Sequence, residues 1–344
     1  MPDHIRRVVI LKTYANGTAL NESNFSLESK PLSPLGDGEI LLETLALSPD
    51  PYMRGRMTGV DNFYMPQFTL NETISGFGVA RVVESKNSTY QAGQIVHGTI
   101  EWADKSIWSG AGQLVGGGPL HIVDAQLKPV RRALDVIGIT GITAYFGVLE
   151  VAKPRRGETM LISGAAGSIG SLAGQIAKMR GARVIGLAGS AKKIDVLTSQ
   201  LGFDAALNYR SETLELQLRE LMPNGPDIYF DNVGGALSQT VMKQMQRPAR
   251  VIECGQISTY DDEGGGWTVD IRPIHSQGLN WESFTSLPFL DFFPGAMAQL
   301  GYWLNTGRLI PLETVVQGIE NAPAALVGLF RGENIGKMLL EVAE

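Results

Sequence analysis

Apolar and polar positions follow one rhythm in the first third of the chain and another beyond it. Up to about residue 130 the apolar runs are short and broken by turn residues. Val8-Val9-Ile10-Leu11, the stretch 39–47, the glycine-opened stretch 75–84 and Gln94 to Gly98 each read as a strand. Turn signals at Pro31 to Gly38 and at Gln91-Ala92-Gly93 separate them, as in a compact β-barrel or sandwich. From about 134 strand and helix signals alternate. A helix is predicted over 138–149, a strand over 159–163 with its helix over 168–181, and a strand over 182–188 with a helix over 191–201. Further strands are predicted at 205–208, 227–231, 249–254 and 279–284, with helices over 211–222 and 237–245. Alternating βα units define a parallel, doubly wound sheet. The tail reads as an interrupted helix over 314–329 and a final strand over 337–342.

The two rhythms meet in Thr159-Met160-Leu161-Ile162-Ser163-Gly164-Ala165-Ala166-Gly167-Ser168-Ile169-Gly170. An apolar run enters three glycines at three-residue spacing, and Ile169, Leu172, Ala173, Ile176 and Ala177 then recur at helical spacing. A strand, tight turn and helix in this order aim backbone N–H groups at a phosphate. The alternative is a glycine-rich turn with no ligand. Three further small or glycine-rich turns also follow strands: Gly189-Ser190, Asn232-Val233-Gly234-Gly235 and Gly255. Such ends are where doubly wound sheets bind nucleotides. A carboxylate after the second strand would select an unphosphorylated ribose. None stands there, and Lys192 and Lys193 follow Ser190. Cations suit a 2′-phosphate, so the expected cofactor is NADP(H).

Composition narrows the classes. The 344 residues are 44% hydrophobic and 19% charged, enough for two domains. A net charge of −6 argues against a nucleic-acid partner. With no run of eighteen apolar residues and no signal-peptide pattern, no membrane association and a cytoplasmic setting are expected. The single cysteine, Cys254, favours the same compartment and leaves no Cys-based zinc site. His97, His121 and His275 read as structural, and Cys254 as a buried residue at a strand end. Trp102, Trp108, Trp267 and Trp281 suit either a wide apolar pocket or core packing. The segment Pro49-Asp50-Pro51-Tyr52-Met53-Arg54-Gly55 reads as a structured loop, because two prolines and a glycine oppose a strand.

Several segments together resemble one family. They are 48–57, 164–170, Tyr229-Phe230-Asp231-Asn232-Val233-Gly234-Gly235, Cys254-Gly255-Gln256-Ile257-Ser258-Thr259-Tyr260 and Glu333-Asn334-Ile335-Gly336-Lys337. They are similar to the zinc-independent medium-chain dehydrogenases/reductases, in the branch of prostaglandin reductase, plant double-bond reductases and curcumin reductase. The resemblance implies an α/β chain with a GroES-like β-barrel domain, from 1–130 with 311–344, and a Rossmann domain from 131–310. It implies NADPH-dependent reduction of the carbon–carbon double bond of a small, apolar enone or enal, no metal, and a homodimer. An NADPH:quinone reductase, a hydroxy-lipid dehydrogenase and a non-catalytic NADPH sensor are the alternatives.

By the same resemblance Ala166, Gly167, Ser168 and Ile169 contact the pyrophosphate. Lys193 and Tyr209 hold the 2′-phosphate beside Gly189, with Lys192 the alternative if the register shifts by one. Asn232 and Asn334 fix the nicotinamide half, along which Cys254, Gly255, Ile257, Ser258 and Tyr260 pack. Phe284 and Ser286 lie near the carboxamide. Tyr52 and Tyr64 face the substrate. Conjugate reduction places negative charge on a carbonyl oxygen, and a Tyr O–H can donate to it. Tyr260 and Tyr64 are the candidates.

Overall fold

The computed structural model describes residues 5–60, 65–110, 118–262 and 267–343. Tyr64 lies outside the described residues. Strands β1 (Ile5–Leu11) and β2 (Phe25–Pro31) form an antiparallel hairpin. Next come β3 (Ile40–Leu47), a one-turn helix α1 (Tyr52–Gly55), β4 (Ser75–Ser85), β5 (Ile95–Glu101), β6 (Lys105–Trp108) and β7 (His121–Ile122). Helix α2 (Ile139–Phe146) leads into the alternating half: β8 (Thr159–Ile162), α3 (Ser168–Met179), β9 (Arg183–Ala188), α4 (Ala191–Ser199), β10 (Ala205–Asn208), α5 (Leu214–Leu221), β11 (Ile228–Asp231), α6 (Gly235–Met242), β12 (Ala249–Glu253), α7 (Arg272–Gln277), β13 (Leu279–Ser283) and α8 (Phe293–Asn305). The chain closes with β14 (Glu313–Gln317), α9 (Ala322–Phe330) and β15 (Lys337–Glu341).

One sheet has the order β10-β9-β8-β11-β12-β13, and all its neighbours are parallel. The order reverses between β8 and β11, which opens a crevice at their carboxyl ends. Buried residues of α2, α3 and α8 cover one face; Leu214, Leu218, Val241 and Met242 cover the other. The second sheet runs β14-β15-β3-β4-β5-β7, with β6 also on β3. Backbone bridges from Val8 to Ala103 and from Ile10 to Thr73 bring β1 onto it, which curls the sheet toward a barrel. Residues 313–341 thus complete a sheet begun by residues 40–108.

Two expectations differ from the structure. The predicted helix over 314–329 opens as strand β14. Thr314, Val315 and Val316 are β-branched and pair with β15 in parallel register, so tertiary pairing overrides a weak helical pattern. The loop after Pro51 contains one helical turn, for which Pro51 supplies a fixed φ of −57°. Trp102 is fully buried among the core residues of the second sheet, and Trp108 packs edge-on against Tyr90, so both serve the core. No helix among the described residues is long and apolar enough to cross a membrane.

Charge is buried where β15 enters. Lys337 is 2% exposed, and its Nζ donates to Asp50, itself buried and accepting from the Ser48 hydroxyl at 2.6 Å. Removing one partner of such a pair strands the other in a low-dielectric core. K337M is expected to lose about 3–5 kcal/mol of stability. D50L/K337M, with no charge left behind, is expected to lose less. Denaturant midpoints of the two variants check this, and equal losses would count against it.

Candidate active site

The glycine turn ends β8 and caps α3 with Gly167, which offers no side chain to the helix. The first-turn N–H groups of a helix have no intrahelical acceptor. Without a capping side chain they face outward with the positive end of the helix dipole. Helix α4 differs, because the Ser190 hydroxyl accepts from the Lys193 N–H at its start. The Ser168 hydroxyl is turned inward and donates to Asp135 at 3.2 Å, so that residue offers an approaching anion its backbone N–H. Behind the turn, the Gly336 N–H donates to the Ala166 carbonyl at 2.7 Å, and Gly167 and Gly336 form a bridge. Gly336 has φ +71° and a Cβ there would lie 1.8 Å from the Leu312 carbonyl oxygen, so only glycine fits this joint. The Asn334 side-chain amide, buried, donates to the Gly336 carbonyl at 2.7 Å and pins the segment.

Asp231, at the end of β11, organises the neighbouring turns. Its Oδ1 accepts from the Ser163 hydroxyl at 2.8 Å, the Tyr229 hydroxyl at 2.9 Å and the Val233 N–H at 2.9 Å. The Ser238 hydroxyl donates to Oδ2. Its backbone carbonyl accepts from the N–H groups of Cys254 (2.8 Å) and Gly255 (3.1 Å). Asn232 is tied back to β8, its N–H donating to the Ser163 hydroxyl and its side-chain amide to the Ser163 carbonyl. The Tyr260 hydroxyl lies 3.5 Å from the Gln256 N, and a Cβ built on Gly255 would lie 3.6 Å from it. Ser258 donates through both N–H and hydroxyl to the Val233 carbonyl, with Ile257 beside it on the same one-turn helix. The carboxyl ends of β8, β11 and β12 therefore bring Gly164, Asn232, Cys254, Gly255 and Tyr260 together. Burial, reinforced by Asp231, pushes the Cys254 thiol up to about 12, which keeps it neutral.

At the end of β9 a second cluster forms. Gly189 meets the Tyr209 side chain so closely that a Cβ would lie 2.7 Å from its hydroxyl. The Lys193 Nζ donates to the Gly332 carbonyl at 2.7 Å, and its pKa is lowered by burial and then by Arg210. Lys192, by contrast, is exposed. Arg210 sits over the Tyr209 ring at 5.7 Å and adds a cation that the sequence reading did not single out. Phe284 packs at the end of β13 against Phe230 and Gly147; Ser286 is buried two residues on. Tyr52 packs edge-on against Phe77, two residues before Arg54, whose guanidinium reaches Asp261. A groove of about 590 Å³ lined by Lys153, Arg155, Arg156 and Arg180 lies at the other end of β8, away from this crevice. Among the described residues no group of three or more His, Cys, Asp or Glu could hold a metal ion.

Sequence reasoning missed the charges behind the site: the buried Asp50, Asp135, Lys337 and Arg54, and the half-exposed Asp261 that pairs with Arg54. The available signal was a charge in an otherwise apolar setting, as with Lys337 at the head of an apolar strand and Asp50 between two prolines.

A parallel sheet with this strand order, an uncapped glycine turn and a second sheet completed by residues 313–341 define a Rossmann-type α/β fold joined to a β-rich part. Residues 7–115 match the family described as N-terminal domain of oxidoreductase, and residues 168–299 the one described as zinc-binding dehydrogenase. The chain is 39% identical to prostaglandin reductase 1 of Rattus norvegicus (93% of this chain, 94% of that one). It is 36% identical to the NADP(+)-dependent 2-alkenal reductase of Nicotiana tabacum, over 97% of each. CurA of Vibrio vulnificus, solved in complex with NADPH, superposes with a TM-score of 0.90 at 32% identity, over 98% of this chain and 99% of that one. The chain belongs to the medium-chain dehydrogenase/reductase family, in its zinc-independent branch.

Asp135 sits behind the turn, its carboxyl raised by burial from 3.8 to about 7, against the pull of Lys337. The folded state holds this proton more tightly than the unfolded chain. The associated stability is complete below about pH 3.8 and lost as pH rises toward 7. D135N, neutral throughout, is expected to lack that decline. Unfolding free energies measured from pH 4 to 7 check it, and parallel curves for the two proteins would refute it.

Proposed function

We propose that the protein is an NADPH-dependent ene-reductase acting on α,β-unsaturated ketones and aldehydes. The observation that carries this reading is the convergence of the uncapped glycine turn, Asn232, Gly255 and Tyr260 at one end of the parallel sheet. The names of the relatives, a 2-alkenal reductase and prostaglandin reductases, support the same chemistry. In this reading residues 131–310 form the nucleotide-binding domain, and 1–130 with 311–344 the domain that closes over the substrate.

The residues present suit the dinucleotide. The N–H groups of Gly167, Ser168 and Ile169, beside Ala166, hold the pyrophosphate at a helix end that no side chain competes for. Lys193 and Tyr209, with Arg210 beside them and Gly189 leaving room, hold the 2′-phosphate. Asn232, Asn334 and the 254–260 loop flank the nicotinamide half, with Phe284 and Ser286 at its far edge. When bound, NADPH supplies the hydride that the β-carbon of the double bond accepts. The Tyr260 hydroxyl donates a hydrogen bond to the carbonyl oxygen on which negative charge develops, a donor aimed where charge appears, and a proton from solvent at the α-carbon completes the saturated product. Tyr52 lines the apolar side of the substrate, with Tyr64 as a further candidate. Cys254, a neutral thiol packed at a strand end, contributes shape and no nucleophile.

The test is a panel of an enone, an enal and a quinone with NADPH, followed at the nicotinamide absorbance band. Oxidation with the enone and enal is expected; oxidation with the quinone alone, or binding without turnover, would overturn the proposal. Y260F is expected to lower kcat on the enone about a hundredfold, and a loss under twofold would remove Tyr260 from the reaction. K193E is expected to raise the Kd for NADPH far more than that for NADH; equal increases by fluorescence titration would remove Lys193 from the 2′-phosphate.

A further inference from the structure

Arg54 is fully buried in α1, between Met53 and Met57, which are fully buried in the core of the second sheet. A guanidinium there has five N–H donors in a rigid fork, and each one left unmet costs free energy. The Arg54 Nη1 donates to the Ala15 carbonyl at 2.8 Å and Nη2 to the Thr18 carbonyl at 2.9 Å. Neither neutralises the charge. The Nε–H donates at 2.7 Å to Asp261 Oδ1, 207 positions away, and that carboxylate supplies the counter-charge from the nucleotide-binding half. The Leu20 N–H approaches the same oxygen at 3.4 Å.

Asp261 directly follows Tyr260. The loop carrying both opens with a single turn, Ile257–Thr259, held to the parallel sheet through the Val233 carbonyl. Its far end is anchored on the other half of the molecule, through Arg54. Tyr52 and Tyr260 thus stand within two residues of the two ends of one ion pair.

We infer that the Arg54–Asp261 pair is a positioning element of the active site, holding the 256–261 loop, and with it the Tyr260 hydroxyl, at a fixed place relative to the Tyr52 side of the crevice. The inference rests on the role proposed above for Tyr260. Arg54 and Asp261 need not touch substrate; they set where Tyr260 stands, and misplacement by about 1 Å can cost on the order of a hundredfold in rate.

Asp261 is the residue to change, because its side chain is 35% exposed and its loss opens no hole in the core. D261A removes the acceptor, and D261N keeps an oxygen for the Arg54 Nε–H. In D261A, kcat on an enone is expected to fall at least about tenfold, with the Kd for NADPH and the KM for the enone within about threefold of wild type. Hydrogen exchange of backbone amides 256–262 is expected to quicken. D261N is expected to regain most of both. Unchanged exchange in D261A, a kcat within twofold of wild type, or equal losses in D261A and D261N would each overturn the inference. If D261A does not fold, R54K, which keeps the buried charge and loses the fork, takes its place in the comparison. Failure of the ene-reductase reading would show differently, as a wild-type protein that leaves the enone untouched. The exchange measurement on wild type, D261A and D261N then decides the positioning role alone.

Discussion

A buried carboxylate at the end of β11 is the constraint from which the crevice follows. Asp231 collects hydroxyl and amide donors from its own strand, from the end of β8 and from the turn ahead of α6, while its carbonyl takes the first two amides after β12. Three strand ends are thereby fixed relative to one another at the place where the strand order reverses. Burial and this charge raise the Tyr229 hydroxyl well above its usual range, so a neutral phenol donates into the cluster. A satisfied polar network of this kind is stiff, because loosening any member leaves a buried group without a partner. The glycines around it then have a fixed frame in which to leave space.

A second group of charges joins the halves of the molecule. Lys337 donates to the buried carboxylate of Asp50 and its charge reaches the buried Asp135, which in turn receives the hydroxyl of the first residue of α3. Arg54 and Asp261 make a corresponding link beside Tyr52 and Tyr260. Buried ion pairs are weak sources of net stability, since desolvation offsets most of the attraction. Their directional donors give orientation instead. Two parts of a chain that meet around one crevice gain fixed orientation from such donors more than added stability.

The alternating half was legible because each of its strands and helices is encoded locally. The predicted strands at 205–208, 227–231 and 279–284 lie within a residue of β10, β11 and β13. The glycine turn and the short turns at Gly189-Ser190, Asn232 to Gly235 and Gly255 were legible the same way, as turn residues directly after strands, whereas the roles of Asn232 and Lys193 came from the family resemblance. Strands β2, β6 and β7 were missed; β7 has two residues, and β6 gains its identity only by folding back on β3. β14 was misread as helix because its partner stands more than twenty residues later. The pairing of the buried charges was unreadable for the same reason. Nothing near Lys337 announces Asp50, 287 positions before it.

That separation bears on how the molecule is made. The glycine turn is synthesised well before β15, yet its Ala166 carbonyl is met by the Gly336 amide, and the lysine that follows Gly336 settles against a carboxylate made 287 positions earlier. The strands of the parallel sheet are all made before β15, so the glycine turn lacks its Gly336 contact until β15 follows. Order of synthesis and order of completion are opposed, so a nascent chain holds a finished crevice only when β15 is free to insert.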